Sequence, residues 1–180
     1  KSEATIKGVG DDCAVLPFSD TEYQLVTTDL LMEGINFDLI YFPLKHLGYK
    51  AVMANASDIY AMNGKPQKML VSIAVSAKFS VDALEQLYEG MRLACERIGV
   101  ELIGGDTSAS ITGLAISITM LGTVAKDKIT YRSGAKPNDL ICVTGDLGAA
   151  YAVLQVLQRE KAVYDSGKGS QPKLSGYEYA

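Results

Sequence analysis

The sequence predicts a mixed α+β domain, and three observations carry the prediction. Short stretches of period-two apolar alternation recur along the chain, two long segments carry an apolar stripe of helical period, and turn residues separate them. The order is mostly strands with two interposed helices, followed by one more strand and helix, which is the pattern of an α+β or mixed α/β architecture.

In chain order, residues 13–17 and 23–31 read as short strands separated by the turn-like PFSDTE. PLKHLGYKAVMANASDIYAMNG is helical in pattern and is expected to close at Gly64, with Pro66 just beyond. KMLVSIAVS sets Met69, Val71, Ile73 and Val75 against smaller residues, which is strand periodicity. Ser80 has the chemistry of an N-cap. Leu84, Leu87, Tyr88, Met91, Ala94, Cys95 and Ile98 then form a helical stripe, and Gly99 is the expected C-terminal glycine. Val100–Ile103 reads as a short strand running into the loop Gly104-Gly105-Asp106-Thr107. LAISITMLGTV and KITYR are predicted to form a hairpin or strand pair. SGAKPNDL is the loop that best marks a domain boundary. After it, LICVT reads as a strand and GDLGAAYAVLQVLQREKA as a glycine turn and helix. No internal repeat or low-complexity tract is visible.

The bulk properties narrow the function. A chain of 180 residues with 48% hydrophobic residues is long enough and apolar enough for a domain with a real core. Net charge is −4 and no basic stripe appears, so nucleic acid is not an expected partner. A phosphorylated ligand on so acidic a protein calls for metal ions. Cys13, Cys95 and Cys142 are far apart, show no metal-ligand spacing, and read as reduced, buried thiols of a cytoplasmic protein. His46 is the single histidine, which rules out a multi-histidine zinc site; it reads as a helix-terminal or surface residue. No apolar run reaches membrane-spanning length and no signal peptide is visible, so no membrane is expected. The chain begins at Lys1 and stops at Ala180 after a polar stretch, and is expected to be a piece of a longer protein.

Four acidic positions stand out. In GVGDDCA, Asp11 and Asp12 sit side by side at the mouth of a strand, either as a solvated turn or with one carboxylate held for a cation. Thr27, Thr28 and Asp29 close the next strand, and alternation sends Thr27 and Asp29 to one face and Thr28 to the other. Their hard oxygen atoms suit magnesium, although Thr-Asp also ends strands. On the first helix, Leu44, Leu47, Ala51, Asn55 and Met62 share a face, and Asp58 falls in its middle. A carboxylate there needs a cation, a metal or a hydrogen-bond network. Gly104-Gly105-Asp106-Thr107 is either a plain turn or a place where backbone amides approach a phosphate beside a metal-holding Asp106. It is neither a Walker loop nor G-x-G-x-x-G. With Arg132, Asp12, Asp29, Asp58 and Asp106 form the parts list for metal-assisted phosphoryl transfer, in which positioning and charge neutralisation do most of the catalysis.

GVGDDCAVL, LVTTDLLMEGINF, YKAVMANASDIYAMNG, LIGGDTS and YRSGAKPNDLICVTGDLG occur in an order and spacing that resemble the thiamine-monophosphate kinases, from residue 5 to about residue 158. That family belongs to a wider group of ATP-binding enzymes with aminoimidazole ribonucleotide synthetase and selenophosphate synthetase. The resemblance implies phosphorylation of thiamine monophosphate by ATP, by direct in-line transfer with several magnesium ions on the triphosphate. It implies metal ligation by Asp12, Thr27, Thr28, Asp29, Asp58 and Asp106, with Asp29 and Asp58 catalytic and Asp58 bridging more than one ion. It makes Asp11 a solvated or structural neighbour of Asp12. Tyr88, Gly105, Asp106 and Arg132 would meet the nucleotide, although Tyr88 also reads as core.

The resemblance further implies an N-terminal domain over residues 1–137, binding ATP and magnesium, whose sheet pairs with a second copy in a homodimer with a barrel-like centre. Residues 138–180 would start a C-terminal α/β domain, with the boundary near Lys136–Asp139. Where that family usually has a histidine at the substrate, this chain has Asn36, which hydrogen-bonds but carries no charge. The fragment alone is not expected to be a competent kinase. The alternatives are another ATP-dependent enzyme of the same group, of the selenophosphate synthetase or hydrogenase-maturation kind, and a non-catalytic nucleotide-binding dimerisation module.

Overall fold

The computed structural model describes residues 4–166. They form two compact units: one runs through Phe37 and takes in Pro43–Gly134, and the other joins Asp38–Phe42 to the chain from Ala135 onward.

The first unit is built from β1 (Ala14–Pro17), β2 (Glu22–Met32), α1 (Leu44–Ala61), β3 (Lys65–Val75), α2 (Val81–Ile98), β4 (Glu101–Ala109) and β5 (Ala115–Ala125). The strands form one mixed sheet in the order β1-β2-β5-β3-β4. β1 pairs with β2, β2 with β5 and β5 with β3 in antiparallel fashion, while β3 and β4 are parallel. β2 and β3 therefore run the same way on either side of β5, and α1 is the crossover between them. α2 is the crossover from β3 to β4, as parallel neighbours require.

Both helices cover one face of the sheet. Leu25 and Leu31 of β2, Met69, Val71 and Ile73 of β3, and Ile116, Ile118 and Met120 of β5 point into the core beneath them. Leu47, Ala51, Val52 and Ile59 of α1 and Leu87, Met91 and Ala94 of α2 meet them from above. The opposite face is open, with Leu30 60% and Leu70 38% exposed. The two helices cross at glycines. A Cβ on Gly48 would lie 2.0 Å from the carbonyl oxygen of Leu87, and one on Gly90 would lie 1.8 Å from that of Lys45.

α2 begins and ends as its sequence predicts. Ser80 accepts a hydrogen bond from the Ala83 amide at 3.2 Å, and Gly99 closes the helix with φ 69°. α1 does not close at Gly64. It stops at Ala61, and Asn63 takes the left-handed turn at φ 60°. Gly64 serves close packing instead, because a Cβ there would lie 2.4 Å from Leu25 Cδ1. The buried face of α1 is Leu47, Gly48, Ala51, Val52, Asn55, Ala56 and Ile59, so Asp58 lies at its margin, half-buried, rather than at its middle.

Three further expectations are corrected. Gly104-Gly105-Asp106-Thr107 is not a loop but the middle of β4, since pairing with β3 continues through it to Ala109. Gly105 allows this, because a Cβ there would lie 1.7 Å from the Val71 carbonyl oxygen. KITYR is not a strand: β5, its expected partner, is already paired on both sides, by β2 and β3. LICVT is irregular too, with Leu140 and Ile141 about nine-tenths exposed and no strand beside it among the described residues.

The second unit carries α3 (Ala149–Asp165), whose Lys161 forms an ion pair with Asp38. Cys142 is exposed, against the expectation of a buried thiol, while Cys13 and Cys95 are buried. Among the described residues no helix is long and apolar enough to cross a membrane.

Candidate functional site

Strand alternation builds the first half of the site. Leu25, Thr27 and Leu31 face the helices, so Thr27 and Asp29 lie under α1 while Thr28, Leu30 and Met32 point to the open face. Buried Thr27 donates its hydroxyl to Asp58 Oδ2 at 2.6 Å. Three residues earlier on α1, fully buried Asn55 accepts from the Asp29 amide at 3.1 Å and donates to the Ala51 carbonyl at 3.1 Å. Asn55 thus fixes the backbone at Asp29 as Thr27 fixes the carboxylate of Asp58.

The loop before β1 supplies the second half, and it divides the two adjacent aspartates. Asp11 is the structural one and it is not solvated: its side chain is 1% exposed. Its Oδ1 accepts from the amides of Asp12 at 3.2 Å and Arg132 at 3.3 Å, and Lys7 Nζ lies 3.7 Å from its Oδ2. Asp12 points the other way and is bound by the Arg132 guanidinium, with Nε at 3.2 Å. This hydrogen bond holds the Asp12 carboxyl below the usual range.

These groups share one neighbourhood. Arg132 feels the charges of Asp12, Asp11 and Asp58. Burial pushes the Cys13 thiol up to about 12, with Asp58, Asp12 and Asp11 adding to it. A thiol so placed is inert packing, not a nucleophile. Asp29 is also shifted upward, first by burial and then by the charge of Asp58. Among the described residues, no group of three or more His, Cys, Asp or Glu is spaced to hold a metal ion by itself.

The structure keeps the other predicted residues apart from this cluster. Thr28 turns to the open face, where Thr119 donates to its hydroxyl at 3.2 Å. Gly105 and Asp106 lie on β4, beyond β5 and β3 from the β2 residues. The Tyr88 phenol meets the Thr107 side chain, and burial pushes its ionisation up. Thr107 thus faces α2, so its neighbour Asp106 faces the open side with Ser72, its partner in register. Tyr88 also lines an apolar groove of about 650 Å³ with Met69, Met91, Cys95 and Leu102. Asn36 sits in the turn after β2, where its Oδ1 accepts from the Met32 amide at 2.9 Å.

Sequence reasoning missed Asn55 as a positioning residue and Lys50 altogether, while of the two readings it left open for Asp11 the structural one holds. Asn55 was legible as a polar residue on an apolar helix face, one turn from Asp58. Lys50 donates to the Asn36 carbonyl at 2.9 Å, and burial draws its ammonium below the usual lysine range.

Residues 10–124 match the family of AIR synthase related proteins, N-terminal domain. The chain is 38% identical over 153 residues to the thiamine-monophosphate kinase of Bacillus subtilis (strain 168), covering 85% of this chain and 47% of that one. Among solved structures it is similar to AaThiL complexed with AMPPCP and TMP, with TM-score 0.79 and 33% identity over 88% of this chain and 48% of the other. It is also similar to thiamine monophosphate kinase from Aquifex aeolicus, with TM-score 0.74 and 34% identity over 83% and 49% of the two chains. The chain spans about half the length of these relatives.

Proposed function

Since the chain belongs to the AIR synthase related proteins and carries their N-terminal domain, we propose that it supplies the ATP- and magnesium-binding half of a kinase that phosphorylates thiamine monophosphate to thiamine diphosphate. The observation that carries this reading is the cluster of Asp12, Thr27, Asp29 and Asp58, in which Arg132 holds the Asp12 carboxylate, Thr27 holds that of Asp58, Asn55 fixes the Asp29 backbone, and burial and the charge of Asp58 act on Asp29. The similarity to thiamine-monophosphate kinases names the acceptor, and favours this enzyme over others of the wider group.

The residues fit magnesium. Carboxylate and hydroxyl oxygens are its ligand type, and it takes one or two carboxylates while phosphate and water complete the shell, so no all-protein cage is needed. Asp12, Thr27, Asp29 and Asp58 would hold one ion, while Thr28 and Asp106, on the open face away from them, are proposed to serve other ions. When bound it would neutralise phosphate charge and orient the in-line transfer. The chain's own residues do the positioning. Arg132 orients Asp12 and would reach nucleotide phosphate, and Asn55 fixes the β2 backbone at Asp29. Tyr88 and Gly105 would meet the nucleotide, and Asn36 the acceptor. Buried, unpaired Cys13 and Cys95 fit a cytoplasmic protein.

A homodimer accompanies this reading. The open sheet face exposes Leu30, Met32 and Leu70, and every residue of β4 is exposed at the sheet edge. A second copy pairing its sheet with this one, around a barrel-like centre, would cover that face. Leu30→Asp with Leu70→Asp is expected to leave a folded monomer in sedimentation; an unchanged dimer would remove this face from the interface.

The test of function is formation of thiamine diphosphate from ATP and thiamine monophosphate by the protein that carries this chain. Product is expected with magnesium and not with EDTA. Product formed equally in EDTA would overturn the metal-assisted reading, and no product in magnesium would overturn the choice of acceptor.

A further inference from the structure

Asp12 and Arg132 are 120 residues apart in sequence, and their side chains join the loop before β1 to the segment after β5. The Arg132 side chain is 66% exposed. A pair with so exposed a guanidinium is weak by itself and holds neither backbone in place. Asp11 does. Its side chain is buried, and its Oδ1 accepts from the amides of both Asp12, at 3.2 Å, and Arg132, at 3.3 Å. One oxygen atom thus fixes the main chain of each member of the pair. The other oxygen is poorly compensated. Asp11 Oδ2 is buried and accepts no hydrogen bond among the described residues, and Lys7 Nζ stands 3.7 Å away. The Lys7 ammonium is shared with the Tyr131 ring, whose centre lies 5.8 Å from it. A buried carboxylate with one oxygen unsatisfied is costly, and a turn that needed only to be stable would be better served by a neutral residue.

We infer that Asp11 is a positioning residue, which sets the backbones of Asp12 and Arg132 so that one carboxylate meets the metal and one guanidinium the nucleotide. This rests on the metal-holding part of the kinase reading above. Both guanidinium contacts fall on Asp12 Oδ1, which leaves Asp12 Oδ2 for an ion. That division of the two oxygens depends on where the Arg132 main chain lies relative to Asp12, and Asp11 Oδ1 is the atom that bonds to both. Groups that orient a metal ligand commonly matter to affinity nearly as much as the ligand does. Asp11 itself faces inward and touches neither substrate. Its loss should therefore act on the ion and on ATP together, and not on the acceptor.

The competing role is an anchor that stabilises the loop before β1 and nothing more. Two readouts on the protein that carries this chain separate them: binding of manganese in the absence of nucleotide, followed by electron spin resonance, and steady-state kinetics. Asp11→Ala is expected to weaken manganese binding roughly tenfold to a hundredfold and to raise KM for ATP, with KM for thiamine monophosphate unchanged. Asp11→Asn keeps an oxygen for both amides and should recover most of the loss. Asp11→Ser, too short to hold both amides, takes the place of Asp11→Ala if the latter does not fold. On KM for ATP, Asp11→Ala should cost clearly less in an Arg132→Ala background than alone, because half of what it positions has gone. A lower Tm with manganese binding and KM for ATP unaltered, equal rises in KM for both substrates, or additive losses with Arg132→Ala would each overturn the inference and leave the kinase reading standing. No thiamine diphosphate from the unsubstituted protein would overturn the choice of acceptor, and the manganese titration would still decide on Asp11.

Discussion

Asp58→Asn is expected to lower magnesium-dependent phosphate transfer by roughly 10²- to 10³-fold, because a metal-held charge contributes several kcal/mol to a phosphoryl-transfer transition state. The same change is expected to leave the fold intact. Asparagine keeps the shape of the side chain, and its carbonyl oxygen can still accept the Thr27 hydroxyl now bonded to Asp58 at 2.6 Å. It also removes one negative charge from a cluster in which Asp29 is already held upward by burial and by Asp58 itself. Without metal, the variant should therefore melt at or above the temperature of the parent. With magnesium and a nucleotide, the parent should gain stability and the variant should gain little. Loss of activity with unaltered stability in EDTA is the signature of a metal carboxylate. A variant that turns over normally, or one that melts well below the parent in EDTA, would make Asp58 a structural partner of Thr27 and nothing more.

Much of this cluster is legible in the sequence because polar residues occupy places where periodicity demands apolar ones. Thr27 follows Leu25 on the buried side of β2, and Asp58 sits beside the apolar face of α1. What the sequence does not show is which groups meet. The division of labour between Asp11 and Asp12 depends on Arg132, 121 and 120 residues downstream, whose amide donates to Asp11 and whose guanidinium donates to Asp12. The bond from Lys50 to Asn36 joins a helix to a turn that is irregular in pattern. The fold follows the same rule. Caps and helical stripes are local, and Ser80 and Gly99 fall where they are expected. Strands are not local. KITYR alternates as well as a true strand does and LICVT is a short apolar run of strand length, yet neither has a ladder partner among the described residues, while the glycines at 104 and 105 are kept extended by β3. A strand is decided by what lies beside it, and one sequence does not say what that is.

The second large effect lies far in sequence from the carboxylates. Alanine in place of glycine inside a helix ordinarily stabilises by about 1 kcal/mol. Gly90→Ala is expected to do the reverse. Its Cβ would sit 1.8 Å from the Lys45 carbonyl oxygen, and that obstacle is backbone, which no rotamer change relieves. α1 and α2 have to move apart, and overpacking of this kind costs about 1–3 kcal/mol or more. The upper end applies here, so Tm should fall by several degrees. Gly48→Ala meets the same crossing from the other side, at 2.0 Å from the Leu87 carbonyl oxygen. Once the helices have separated for one methyl group, the second costs less, so the double variant should lose clearly less than the sum. α1 also carries Asn55 and Asp58, and a displaced α1 lengthens the hydrogen bonds by which β2 holds them. Gly90→Ala should then weaken magnesium-nucleotide use at temperatures where the protein is still folded. Additive losses would mean that the two glycines are not one crossing. A destabilised variant with unaltered nucleotide use would mean that α1 keeps its place on β2 while α2 alone yields.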